Sequence, residues 1–142
     1  MSELLNNQYV VYELSNERYA LKISDVYEII KVQKITAVYN SKKYLEGVIN
    51  LRGKIVPVVN LHKRFALADY TLTKSTRIVV VESRDEMVGI VVDKVNQVVR
   101  FNDIQPPPDM VAGIDGNYFE GIGLAEDGVV SLLKIEKVLH EQ

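Results

Sequence analysis

No cysteine occurs in the 142 residues, so neither a disulfide nor a thiolate metal site can form. Histidine is nearly as scarce. His62 and His140 are the only two, far apart and outside any HxxH or HExxH spacing, which argues against a metal centre. There is no excess of positive charge: 17 basic and 19 acidic residues leave a net charge of −2, whereas nucleic-acid binders usually carry a basic face. No apolar run approaches the roughly 18 residues of a membrane-spanning helix. Met1 to Val11 also lacks the basic start and long apolar stretch of a signal peptide. These absences leave a soluble, cytoplasmic protein with no cofactor, no metal, no nucleic acid and no direct membrane insertion.

What is present is apolar and broken into short bursts. The chain is 47% hydrophobic and 25% charged, ordinary for a globular protein and long enough to bury a core. Tyr9–Leu14, Tyr19–Ile23, Lys54–Leu61, Arg77–Glu82 and Val88–Val92 are Val- and Ile-rich and of strand length. Turn-formers separate them at Ser15-Asn16, Arg52-Gly53, Arg84-Asp85 and Asp127-Gly128, a spacing that predicts an all-β sandwich or barrel. Two helical stretches are expected. One is a turn or two over Ser24–Ile30 behind a Ser or Asp cap, with Val26 and Ile29 at helical spacing. The other is a short terminal helix over Lys134–Gln142 with Ile135, Val138 and Leu139 on one face.

The chain also repeats itself. Shifted by 69 positions, Gln8–Val32 lies on Arg77–Phe101 without a gap, and Val10, Val11, Glu13, Glu17 and Val26 meet Val79, Val80, Glu82, Glu86 and Val95. A shift of 74 then lays Leu45–Val48 on Phe119–Ile122 and the stretch from Gly53 on that from Asp127. Two copies of a unit of about five strands are predicted, hinged near Leu67–Ser75. Each copy is too small for a robust core alone, so the two should pack along a seam.

Within the first copy, Val48–Leu51 and Lys54–Leu61 read as a hairpin turning at Arg52-Gly53, where glycine accepts positive φ. Pro57 has no N–H, which assigns its strand to a sheet edge or bulge. An apolar edge of Ile55, Val56, Val58 and Val59 is an aggregation hazard that a docked partner would relieve. Arg52 is either a solvated turn charge or half of an ion pair at the seam. Its counterpart in the second copy is Glu126, so the repeat does not itself require arginine there.

The stretch "EGVINLRGKIVPVVNL" (46–61) resembles the signature of the CheW family, the bacterial chemotaxis coupling proteins. The similarity extends through "YVVYELSNERYALKISDVYEII", "VGIVVDKVNQVV", "IQPPPDM" and the closing "YFEGIG…LLKIEKVL", nearly the whole chain. The resemblance implies a single domain over 1–142 made of two packed five-stranded SH3-like barrels. Approximate bounds are 8–68 and 75–142, and terminal elements could be exchanged between them. It implies a non-catalytic adaptor joining methyl-accepting chemoreceptor tips to the regulatory domain of a CheA-like histidine kinase, recruited to membrane-associated receptor arrays. By motif, the receptor groove maps to Ile23, Val26, Glu28, Ile29, Gly47, Arg52 and Val95, with Arg52 paired to Glu28. The kinase face maps to Ile55, Val56 and Val58. A second kinase contact that closes rings maps to Gln105 and Met110, where studied members have arginine and phenylalanine. That departure leaves ring closure through this edge open.

The remaining patterns carry less. Carboxylates at Asp115, Glu120, Glu126 and Asp127 lack a flanking nucleophile or histidine and read as loop charges. Gly113, Gly116, Gly121 and Gly123 form no phosphate-cradling pattern. Pro106–Pro108 is a stiff segment, a spacer or a binding surface. The alternative functions are a related coupling module in another kinase pathway, such as twitching motility, and a β-barrel nucleic-acid binder. The second suffers because the strands bearing Tyr9, Tyr12 and Tyr19 carry Glu13 and Glu17 instead of a basic track.

Overall fold

The computed structural model describes residues 8–68 and 70–140. Its strands are β1 (Gln8–Leu14), β2 (Glu17–Lys22), β3 (Val26–Lys31), β4 (Leu45–Leu51), β5 (Lys54–Asn60), β6 (Arg77–Ser83), β7 (Glu86–Val92) and β8 (Lys94–Arg100). Three two-residue strands follow, β9 (Ile104–Gln105), β10 (Met110–Val111) and β11 (Ile114–Asp115), then β12 (Phe119–Ala125) and β13 (Gly128–Leu133). Helix α1 (Leu61–Arg64) and the terminal α2 (Ile135–His140) are short. In α2, Ile135 and Val138 are buried and Leu139 packs against the core, the face expected of it; Glu141 and Gln142 lie outside the described residues.

The protein is mostly β, with two packed sheets. One runs β3-β6-β7-β5-β4 and the other β8-β1-β2-β13-β12-β9; β10 and β11 form a separate ribbon. Under the sequence repeat the two orders coincide position by position, β3 with β8, β6 with β1, β7 with β2, β5 with β13 and β4 with β12. The one parallel pairing in each sheet, β5–β7 and β13–β2, coincides as well. So does the bridge beyond the last long strand, Thr36 to Val48 in one sheet and Gln105 to Ile122 in the other. Hairpins β1–β2 and β6–β7 each sit in the sheet that the other half of the chain completes. Each sheet therefore draws strands from both halves. The stretch Leu67–Ser75, of which Asp69 lies outside the described residues, joins the halves within one sheet, and the chain changes sheet between β2 and β3 and between β7 and β8.

Burial explains the sequence pattern. Tyr12, Leu14, Tyr19 and Leu21 of one sheet and Val79, Val81, Ile90 and Val92 of the other share one cluster between the sheets. The opposite faces of the same strands fill two outer clusters, Ile78, Val80 and Val91 with Ile49, Val56 and Val58, and Tyr9, Val11 and Ala20 with Val130 and Leu132. Strands covered on both faces read as continuous apolar runs, as β1 and β6 do. A fully buried side chain of this size contributes about 1.5–3 kcal/mol, so the shared cluster outweighs what either sheet could hold alone.

Two expectations need correction. Ser24–Ile30 is not helical: a 3₁₀ turn at Ile23–Asp25 leads into β3, and no side chain caps the turn. The β-branched Val26, Ile29 and Ile30 suit a strand, and β6 satisfies its backbone. A bulge between Val26 and Glu28 sets Val26 opposite Val81 and Ile29 opposite Val79, and both of those partners face the inter-sheet core. One extra residue thus places Val26 and Ile29 on one face at a spacing of three, imitating a helical period. Second, β5 is not an edge strand; it lies between β7 and β4. Pro57 is accommodated because the pairing of β5 with β7 begins only at Val58, so its missing N–H costs no bond on that side.

Candidate functional site

The turn at Arg52-Gly53 has both residues at positive φ, 50° and 87°, as a two-residue hairpin requires. Asn50 Oδ1 accepts from the Gly53 N–H at 2.8 Å. An L-residue in this conformation costs about 1–2 kcal/mol, so arginine is there for its side chain. Arg52 reaches back to β3, where Nη1 donates to Glu28 Oε2 at 3.1 Å and Nη2 donates to Oε1. The hydrogen bonds from Arg52 hold the Glu28 carboxyl below the usual carboxylate range, and the same contact raises the guanidinium. The pair does not lie between copies. It ties β3, one edge of the five-stranded sheet, to the β4–β5 hairpin at the other, assisted by Gln33 Nε2 donating to Asn50 O at 2.8 Å.

Around this pair the other residues of the expected receptor groove take distinct places. Ile23 lies in the turn where the chain crosses from one sheet to the other. Val26 on β3 and Val95 on β8, edge strands of different sheets, both pack half-buried against the shared core. Ile29 is exposed at 39%. Gly47 is buried in a bulge of β4 at φ 148°, where an added Cβ would stand 2.2 Å from the Thr36 carbonyl oxygen. Its missing side chain lets the Thr36 segment bond to β4. Edge-strand Val26, Glu28 and Ile29 thus sit near the Arg52 tip, and Gly47 acts from behind it.

The expected kinase face divides sharply. Val56 and Val58 are 1% and 0% exposed, within an outer cluster, while Ile55 is 67% exposed. Neither valine side chain can meet a partner. Lys54–Pro57 has no strand paired on its β7 side, and there β5 and the β6–β7 tip splay into a cleft of about 300 Å³. Ile55, Pro57 and Met87 line it, with Lys54, Glu82, Asp85 and Glu86 as charged groups. Sequence reasoning missed Met87, since nothing local distinguishes it; the parallel pairing of β5 with β7 is what brings it beside Ile55.

Gln105 and Met110 are both exposed, on β9 and β10. The Gln105 amide donates to Asp103 Oδ1 at 2.7 Å, and Met110 is bare at 58%. His62 is buried with Nε2 3.2 Å from Asp93 Oδ2, and His140 Nε2 lies 3.0 Å from Ser83 Oγ. No cluster that could hold a metal occurs among the described residues. A polar cleft of about 540 Å³ runs beside α2. Its charges are partly paired, Lys22 with Glu120 at 3.5 Å and Arg84 with Glu136 at 3.6 Å. Burial raises the Asp25 carboxyl there. No helix among the described residues is long and apolar enough to cross a membrane.

Comparison with known proteins agrees with this architecture. The CheW-like domain family matches residues 8–142. The chain is similar to chemotaxis protein CheW of Treponema pallidum, 34% identical over 141 residues covering 95% of this chain and 83% of that one. It is 31% identical to chemotaxis protein CheW of Klebsiella aerogenes, covering 99% and 86% of the two chains. The crystal structure of the scaffolding protein TtCheW from Thermoanaerobacter tengcongensis is similar at a TM-score of 0.87 and 36% identity, over 95% of this chain and 88% of that one. With a family match that runs over residues 8–142 and a solved scaffolding protein of the same fold at 36% identity, the chain belongs to the CheW-like domain family.

Proposed function

We propose that this chain is a non-catalytic adaptor that couples chemoreceptor cytoplasmic tips to the regulatory domain of a CheA-like histidine kinase. Its two sheets serve as the two barrel-like units, and the halves 8–68 and 75–142 each contribute strands to both, since one sheet is built from 26–92 and the other from 8–22 and 94–133. The observation that carries the reading is Ile55, an exposed isoleucine on a stretch of strand left unpaired on one side. A kinase surface with a complementary apolar ridge would cover Ile55, Pro57 and Met87 and shield that backbone. The receptor would lie across the Val26–Ile29 side, where the Arg52–Glu28 pair fixes β3 against the hairpin. An apolar ridge of a receptor helix would meet Ile23, Ile29 and Val95 there. Val56, Val58 and Gly47 support these faces from within. The names of similar proteins, chemotaxis protein CheW and scaffolding protein TtCheW, support the same role.

The experiment is a pair of binding measurements. Ile55→Asp, at an exposed position, should fold normally, lose the kinase regulatory domain and retain a receptor cytoplasmic fragment. Ile29→Asp should do the reverse. Unchanged kinase affinity in Ile55→Asp would remove the assigned face.

A further inference from the structure

The repeat breaks at one position with a physical consequence. Under its shifts, Arg52 and Glu28 fall on Glu126 and Gln97. The ion pair that draws β3 to the β4–β5 hairpin therefore has no counterpart between β8 and the β12–β13 hairpin. Gln97 is neutral, and Glu126 makes no ion pair among the described residues. Both are exposed. In place of a lock there is a cleft of about 260 Å³ lined by both residues.

Its construction is specific. The floor is apolar, with Val11, Val99, Phe101 and Val130 from the outer cluster of that sheet. Phe101 is held firmly: its ring lies 5.5 Å from that of Tyr9 and so near Gly123 that a Cβ there would be 2.7 Å from ring carbons. On the rim, Asp127 already holds Arg18 at 3.0 Å, and Arg100 stands at the end of β8. Glu126 is the rim carboxylate left without a cation. The volume falls below the roughly 300–1,000 Å³ typical of small-molecule sites and suits one long side chain.

We propose that this cleft receives an arginine side chain from a protein partner, supplying in trans the cation that the repeat supplies in cis at Arg52. The methylene stem and guanidinium plane lie over Phe101 and Val99 while the head group pairs with Glu126. Arginine covers apolar surface with its stem, stacks on rings and matches a carboxylate with its planar fork. The site is distinct from the receptor and kinase faces proposed above and does not depend on them.

The test uses isotope-labelled full-length protein and three probes, acetyl-Leu-Arg-Leu-amide and its Glu and Leu analogues at the central position. The arginine peptide should shift amides of Asn96–Asn102 and Leu124–Asp127 saturably, with a dissociation constant on the order of millimolar; the other two should not. Glu126→Gln should weaken binding about two- to fivefold, the worth of an exposed ion pair. The double variant Gln97→Glu with Glu126→Arg should install the missing lock and abolish binding, with an otherwise unchanged amide spectrum. Shifts that map elsewhere, equal binding of the glutamate or leucine peptide, or full binding by the double variant would each overturn the proposal.

Discussion

Consider Gly47→Ala. The residue sits at φ 148°, and the new Cβ would lie 2.2 Å from the Thr36 carbonyl oxygen and 2.7 Å from its carbon. Both are main-chain atoms, so no side chain can rotate aside and the Thr36 segment itself must retreat. The retreat breaks two hydrogen bonds, Thr36 N–H to Val48 O at 2.9 Å and Val48 N–H to Thr36 O at 2.8 Å. Each such bond contributes about 0.5–1.5 kcal/mol, and an alanine held in a glycine conformation costs about 1–3 kcal/mol. The total is about 2–6 kcal/mol, a large part of the ~5–15 kcal/mol a domain holds. At roughly 3–5 °C per kcal/mol for this length, the midpoint of thermal unfolding by circular dichroism should fall by about 6 °C or more. Gly53→Ala is the internal control. It shares a positive φ of 87°, but nothing lies within 4 Å of its Cβ, so only the conformational cost of about 1–2 kcal/mol applies. If Gly47→Ala melted no lower than Gly53→Ala, the close-approach argument would be wrong.

Further predictions concern the charged and buried groups. In an NMR titration Glu28 should release its proton below the ordinary glutamate value of about 4.3, and Arg52→Ala should return it there. Because the folded carboxyl is depressed, the pair stabilises above the unfolded pKa and ceases to as pH falls through the folded one; the stability difference between parent and Arg52→Ala should close in that acid window. Burial first, and then Glu120, push the Tyr9 phenol up to about 12. Glu120→Gln should therefore bring Tyr9 ionisation to lower pH in an ultraviolet titration. Since the folded phenol is raised, its contribution to stability is complete below about 10 and is lost as pH rises toward 12. Val58→Asp should prevent folding, because it places a charge in a fully buried position, whereas Ile55→Asp should melt within about 0.5 kcal/mol of the parent.

Much of the fold is legible in the sequence because it follows from period and punctuation. The hairpin turns at Ser15-Asn16, Arg52-Gly53 and Arg84-Asp85 all carry paired positive φ, and the fourth tip lies one residue earlier than expected, at Glu126-Asp127, since Ala125 pairs with Gly128. What escaped was long-range. The bulge in β3 imitates helical spacing, and only the ladder with β6 distinguishes the two. Pro57 signals a missing hydrogen bond, but where that bond is missing depends on where the β7 pairing starts. The exchange of hairpins between halves is left open by the family resemblance alone and has no local mark, because β1–β2 and β6–β7 have the same sequence character and fit either sheet. At the site, the Arg52–Glu28 pair came from family resemblance together with the hairpin tip. Spacing alone did not place Met87 beside Ile55, nor reveal the cleft that Glu126 and Gln97 leave open.

The most direct test of an adaptor with two separate faces is co-purification of three components: this chain, a receptor cytoplasmic fragment and a CheA-like regulatory domain. The parent protein should bring all three together, Ile55→Asp should retain receptor alone, and Ile29→Asp should retain kinase alone. A substitution that releases both partners while the protein stays folded, or a parent chain that carries one partner only by excluding the other, would contradict the account.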